Sequence, residues 1–263
     1  MEQELAGKTA FVSGSTQGIG YAIAAALLRQ GASVVINGRT EARVAAAVAS
    51  LRAEIPAGDV DGIAADVARA DELGRLTGII DGVDILVNNV GVFELKAFAD
   101  ISDDEWQRYL DVNLLSGVRL ARHALAPMLA RGWGRILFVA SESGVDVPAD
   151  MIHYGVTKAA TIALGNGLAK LTRGTSVTVN TILGGPTYSD GVAETVAQIA
   201  ASQGMPVDDL KAAIAAGNRT SLLQRFIEPD EIAHLAAYLA SPRSSATNGA
   251  ALRADGGTLT TML

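Results

Sequence analysis

Short β-branched runs alternate with Ala-rich stretches of helical length along nearly the whole chain, and few folds accept that rhythm. The runs fall at 9–14 (TAFVSG), 33–38 (SVVING), 60–66, 83–89 (VDILVNN), 134–141 (GRILFVAS), 176–183 (SVTVNTIL) and 250–255. Several are apolar without a break, as in strands covered on both faces of a parallel sheet. Helices are predicted at 18–30, 40–54, 69–79, 102–131, 151–171, 190–216 and 228–240. Each strand–helix–strand step crosses over to a parallel neighbour, which places helices on both faces of one sheet. No repeat, Pro/Ser linker or low-complexity tail interrupts the pattern. The expectation is a single α/β domain over residues 1–263 with a doubly wound parallel sheet of about seven strands.

Composition narrows the partners. Apolar residues make up 49% of the chain and charged residues 19%, enough for a large core and too few charges for a disordered chain. A net charge of −7 argues against nucleic acid or an anionic membrane as the main partner. It leaves phosphate ligands open, because backbone N–H groups bind phosphate without net charge. There are no cysteines, so disulfides, thiol nucleophiles and thiolate metal sites are excluded. The opening MEQELAGKTA lacks the apolar core of a signal peptide, and no apolar run reaches the roughly 18 residues that span a bilayer. A cytoplasmic location is expected. His123, His153 and His234 are the only histidines and lie far apart, so no metal site is expected.

FVSGSTQGIGYAIAAAL runs from the first strand through Gly14, Gly18 and Gly20 into a helix. A helix N-terminus directly after a small-residue turn offers free N–H groups to a diphosphate, and the first βα turn is where a Rossmann-like fold binds one. Strand two ends in Asn37, Gly38 and Arg39. A carboxylate there would bind a ribose 2′-hydroxyl, whereas an arginine accommodates a 2′-phosphate. Arg39, with Thr40 as a further donor, therefore points to NADP, with NAD as the alternative.

MIHYGVTKAA sets Tyr154 and Lys158 one helical turn apart, on one helix face. An ammonium beside a phenol favours the phenolate and lowers its pKa from about 10. Such a tyrosine can give and take a proton during alcohol–carbonyl chemistry. Gly155, Gly165 and Gly167 in the same helix imply close packing, either on the protein's own sheet or on another subunit.

Gly14, Gly18 and Gly20, the run Asn88-Asn89-x-Gly91, Asn113, Ser141, and Tyr154-x-x-x-Lys158 together resemble the short-chain dehydrogenase/reductase family in order and spacing. The closing ASPRSSATNGAALRADGG resembles that family's C-terminal segment, so the likeness covers essentially the whole chain. The resemblance implies a catalytic tetrad. Tyr154 is the general acid/base, Lys158 holds the nicotinamide ribose, Ser141 binds the substrate oxygen, and Asn113 holds a water linking Lys158 to solvent. It implies that Gly14, Ser15, Gln17, Gly18, Ile19, Gly20, Asp66, Val67, Asn89, Gly91, Gly185, Pro186 and Thr187 lie along the dinucleotide. It further implies a small-molecule ketone or alcohol substrate and a homotetramer or homodimer. Gln17 stands where many NADP-preferring members carry a basic residue. Val90 replaces the usual alanine, and Gly184 replaces a proline whose loss should free the backbone beside the nicotinamide.

The stretch at about 186–225 corresponds to the family's substrate lid. It reads as one or two helices with Gly191, Gly204 and Gly217 as hinges, and Val192, Val196, Ile199, Leu210 and Ile214 either face the substrate or pack it onto the body. Phe93, Glu142 and His153 are candidate substrate contacts, with His153 at the rim. A continuing strand would turn Glu142 away from Ser141. Two alternatives stand beside the oxidoreductase reading. One is a 3-oxoacyl reductase acting on an acyl-carrier-protein substrate, which the acidic charge does not favour. The other is a non-catalytic dinucleotide sensor, which the intact tetrad disfavours.

Overall fold

The computed structural model describes residues 3–262. Seven strands, β1 (Thr9–Val12), β2 (Ser33–Gly38), β3 (Val60–Ala64), β4 (Ile85–Asn88), β5 (Trp133–Ser141), β6 (Ser176–Gly184) and β7 (Ala251–Ala254), form one sheet in the order β3-β2-β1-β4-β5-β6-β7. Every pairing is parallel. β4 and most of β5 read as apolar runs and are buried throughout, and most of β6 is buried as well although Thr178, Asn180 and Thr181 interrupt its apolar residues.

Helices cover both faces. On one side α1 (Gly18–Arg29), α2 (Glu41–Glu54) and α9 (Pro229–Ala240) enclose a core with Ile23, Leu27, Ile36, Leu51 and Ile232. On the other, α3 (Thr77–Ile80), α5 (Ser116–Arg131) and α6 (Ile152–Ala169) enclose Phe11, Leu86, Leu120, Ile136 and Phe138. This confirms the expected doubly wound sheet.

The helices depart from the sequence reading where local chemistry breaks them. The stretch 69–79 becomes a 3₁₀ turn (Ala70–Arg75) and the single-turn α3, in a segment weakened by Gly74 and Gly78. The long helix at 102–131 divides into α4 (Asp103–Leu110) and α5, joined by a π-helical turn at Asp111–Leu115. Its start is fixed by a capping box between Ser102 and Glu105. The stretch 190–216 divides into α7 (Asp190–Gln203) and α8 (Val207–Gly217). Gly204 ends α7 in the left-handed region at φ 66°, and Pro206 caps α8. Val196, Ala200 and Leu210 bury against one another with Tyr188 and Val192, while Ile199 and Ile214 face outward. The apolar residues of this segment thus mostly pack its two helices together.

The glycines of α6 resolve individually. A Cβ on Gly165 would strike the Thr181 hydroxyl of β6, and one on Gly155 would strike Val147 and the Ser143 carbonyl. Both serve packing within the chain. Gly167 faces open space. At α1, a Cβ on Gly20 would lie 2.4 Å from the Gly14 carbonyl and 2.5 Å from the Asn89 amide. Gly20→Ala should therefore destabilise the protein by about 1–3 kcal/mol as overpacking, whereas Gly167→Ala should stabilise it by up to about 1 kcal/mol. Thermal unfolding of the two variants checks both signs.

Candidate active site

A parallel sheet sends every strand's C-terminus to one edge, and a crevice opens where neighbouring crossovers leave in opposite directions. Here that point lies between β1 and β4. A cleft of about 700 Å³ runs along this edge from Arg39, Thr40 and Arg43 at one end, past Gly14, Gln17, Gly18 and Ile19, to Gly91, Phe93, Tyr154 and Lys158.

The β1–α1 turn floors the middle of the cleft. Gly14 and Gly18 both adopt positive φ, 60° and 59°, a conformation that favours glycine. Asn89 ties the turn to β4: its side-chain amide donates to the carbonyls of Ser13 (3.1 Å) and Gly14 (2.9 Å). Gly20 lies beneath and supports the turn by allowing α1 to approach it, without lining the cleft. Ser15 likewise departs from expectation. It is fully buried, donates to the Val12 carbonyl and accepts from the Asn37 N–H, so it pins β1 to β2. Above the turn, the Gly18 N–H donates to the Asp190 carboxylate at 2.6 Å. A negative group from the start of α7 thus meets the N-terminus of α1, as the helix dipole favours.

At the end of β2, Asn37 spends its amide on the carbonyls of Ile63 and Ala65 and presents no charge. Thr40 caps α2 by accepting from the Arg43 N–H. Asp66 and Val67 face the cleft after β3. Asp66 holds its own loop by accepting from the Ala68 N–H. Arg43 was not anticipated. The cap at Thr40 places it in the first turn of α2, on the same wall as Arg39.

The other end carries the candidate tetrad. Lys158 is buried and donates to the Val139 carbonyl at 2.9 Å, with its ammonium 5.5 Å from the Tyr154 ring centre. Burial pulls its pKa down to about 8. Tyr154 is half-buried, and Phe93 meets it edge-on with ring centres 6.2 Å apart. The expectation of a lowered Tyr154 pKa is corrected here: desolvation by burial raises it. Asn113 sits in the π-helical turn, a common device at functional sites. It accepts from the Val92 N–H and donates to the Val92 carbonyl and the Thr157 hydroxyl. Its amide thereby holds the loop after β4 beside Lys158.

Other placements differ from the sequence reading. His153 does not line a rim. It has no exposed surface and packs 3.9 Å from the Tyr109 ring and 6.2 Å from that of Trp106, because the next position on α6 points away from Tyr154. β5 ends at Ser141 and a 3₁₀ turn follows, so Glu142 folds back and accepts from the Ser141 hydroxyl at 2.5 Å. Gly184 does not loosen the backbone. It ends β6 in register with Ser141 on β5 and Ala254 on β7. Gly185, Pro186 and Thr187 stand outside the cleft lining, Thr187 turning inward to the Gly185 carbonyl. Ser189 and Gly191 line the cleft in their place. Among the described residues no cluster of metal-ligating side chains occurs and no helix is long and apolar enough to cross a membrane.

Comparison with known proteins agrees with this geometry. A family model described as enoyl-(acyl carrier protein) reductase matches residues 14–259. The chain belongs to the short-chain dehydrogenase/reductase family. Within that family it is 43% identical over 258 residues to the uncharacterized oxidoreductase YvaG of Bacillus subtilis, covering 98% of each chain. It is 34% identical to a D-beta-hydroxybutyrate dehydrogenase of Cupriavidus necator, covering 96% of this chain and 98% of the relative. The crystal structure of L-sorbose reductase from Gluconobacter frateurii complexed with NADPH and L-sorbose superposes with a TM-score of 0.93 at 30% identity, over the full length of both chains.

A buried lysine at the heart of such a site carries a stability cost. Its folded pKa lies below its unfolded one, so the unfolded chain holds more protons between about pH 8 and about pH 10.4. Stability from this group should rise with pH through that window and be lowest below it. Lys158→Met should therefore raise the stability of the cofactor-free protein at pH 7 by up to about 3 kcal/mol, and the advantage should shrink as pH rises. Denaturant unfolding of both proteins from pH 7 to pH 10 measures this.

Proposed function

We propose that this protein is an NADP-preferring oxidoreductase that interconverts a secondary alcohol and a ketone, with Tyr154 as the general acid/base. One observation carries the reading. The cleft joins two arginines at one end to the Tyr154–Lys158 pair at the other, and the diphosphate-type turn lies between them.

The residues fit a phosphorylated dinucleotide. Arg39 and Arg43 supply cationic donors for a 2′-phosphate, and no carboxylate stands at the β2 end to repel it. Gly14 and Gly18 open the backbone for a diphosphate. Lys158 reaches the wall formed by Gly91, where a Cβ would come within 3.3 Å of its ammonium. A side chain at residue 91 would crowd that ammonium. NADPH, when bound, supplies the hydride. The chain does the rest. Phe93 and Tyr154 orient the carbonyl, Ser141 binds its oxygen, and the Tyr154 phenol hands that oxygen a proton. Burial keeps this phenol protonated in the cofactor-free protein, the state from which reduction starts. The NADPH complex of the L-sorbose reductase supports the choice of cofactor.

Three variants test the reading. Tyr154→Phe should abolish NADPH-dependent reduction across a ketone panel, by roughly a hundredfold or more for a lost proton donor, while leaving NADPH binding intact. Arg39→Ala should cost NADPH roughly tenfold or more in kcat/KM, with little change for NADH. Equal loss with both cofactors would reject the 2′-phosphate assignment. Asp190→Asn should tighten NADPH binding roughly three- to tenfold in equilibrium titration, since it removes an exposed charged hydrogen bond from the Gly18 N–H. Unchanged or weaker binding would show that the Asp190 contact does not compete with the diphosphate.

A further inference from the structure

We propose that Glu142 sets the direction in which the Ser141 hydroxyl presents its proton, and so acts as a positioning residue that favours carbonyl reduction in one state and alcohol oxidation in the other. This rests on the roles of Ser141 and Tyr154 given above.

A hydroxyl has one proton and two lone pairs. Ser141 donates that proton to a Glu142 carboxylate oxygen and accepts from the Ser143 N–H at 3.2 Å. One lone pair is left over. While Glu142 is ionised, Ser141 can therefore offer a substrate only an acceptor. That suits the O–H of an alcohol about to be oxidised. It opposes a ketone, whose oxygen is itself an acceptor. With a proton on Glu142 the order reverses. The carboxyl donates to the Ser141 oxygen, and the freed Ser141 proton points at the carbonyl oxygen beside the Tyr154 phenol. Only hydrogen bonds rearrange, and the extra proton on Glu142 exchanges with solvent.

The surroundings hold Glu142 to this task. The 3₁₀ turn Glu142–Gly144 presses on α6, where a Cβ on Gly144 would lie 2.8 Å from the Ala159 nitrogen. The backbone that carries Glu142 is thereby held against α6. Its second oxygen accepts from the Ser143 hydroxyl. The charged and titratable groups facing it are Tyr154 and Lys158 on α6 and Asp255 after β7. Asp255 is itself paired with Arg253 at 2.9 Å. Burial raises the Glu142 pKa, and the Asp255 charge adds to that. The Ser141 hydrogen bond and the backbone N–H groups of Glu142 and Ser143 oppose it. The balance leaves the Glu142 carboxyl above the ordinary glutamate range.

The test combines carboxyl ¹³C NMR titration of glutamate-labelled protein with pH–rate profiles. The Glu142 resonance is the one missing from Glu142→Gln. Its midpoint should lie above that of the other glutamates. It should move up by about one pH unit in Ser141→Ala, because the donor that stabilises the carboxylate is gone. With NADPH and either 2,3-butanedione or ethyl acetoacetate as probes, reduction by the wild type should decline as pH rises through that midpoint. Glu142→Gln, which keeps the size of the side chain, should lack that decline while retaining turnover. An unmoved midpoint in Ser141→Ala, or the same decline in Glu142→Gln, would overturn the proposal. If neither probe turns over at any pH, that counts against the oxidoreductase reading, and the NMR shift alone then decides whether Glu142 controls the Ser141 proton.

Discussion

All seven strands run the same way, and this single constraint gathers the chemistry. Parallel pairing delivers Gly14, Arg39, Asn89 and Ser141 to one edge of the sheet although they are scattered over half the chain. The crevice there is held open by close packing rather than by any large side chain. Gly20 lets α1 approach to contact distance, and the Asn89 amide bridges the turn to β4. A methyl group in the wrong place would push apart the elements on which the cleft depends.

The electrostatics of the far end follow from depth. Lys158 and Tyr154 share a helix face, yet burial dominates both. It lowers the lysine and raises the phenol, so both are biased toward their uncharged forms. A site built this way spends stability on function. It also makes the local hydrogen-bond order matter more than net charge. Asn113 fixes the loop after β4, and Glu142 occupies the Ser141 hydroxyl. Both act on the candidate catalytic groups from the side.

Much of the fold was legible because its signals are local. Unbroken apolar runs marked the strands, and the glycines after β1 marked the turn. Tyr154 and Lys158 could be paired from helical spacing alone. What escaped depended on how elements end or meet. No residue pattern announces the π-helical turn that carries Asn113. The position of Glu142 hinges on whether β5 stops at Ser141, which the packing of the next turn against α6 decides. His153 reads as a rim residue because one helical step, about 100°, separates it from Tyr154, but that step carries it into the core. Arg43 left a usable signal, since a Thr cap at residue 40 implies that the first turn of α2 faces the same cleft. Asp190 left none, as its partner Gly18 lies 172 residues away.

The central claim is that the cleft is a dinucleotide site with a preference for the 2′-phosphate. It is tested most directly by titrating the purified protein with NADPH and with NADH in parallel and following nicotinamide fluorescence. The account predicts saturable binding of both, with NADPH tighter by roughly tenfold or more, the margin expected of a charge-assisted phosphate contact. Equal affinities or a preference for NADH would contradict the role given to Arg39 and Arg43. Absence of binding by either would contradict the site itself.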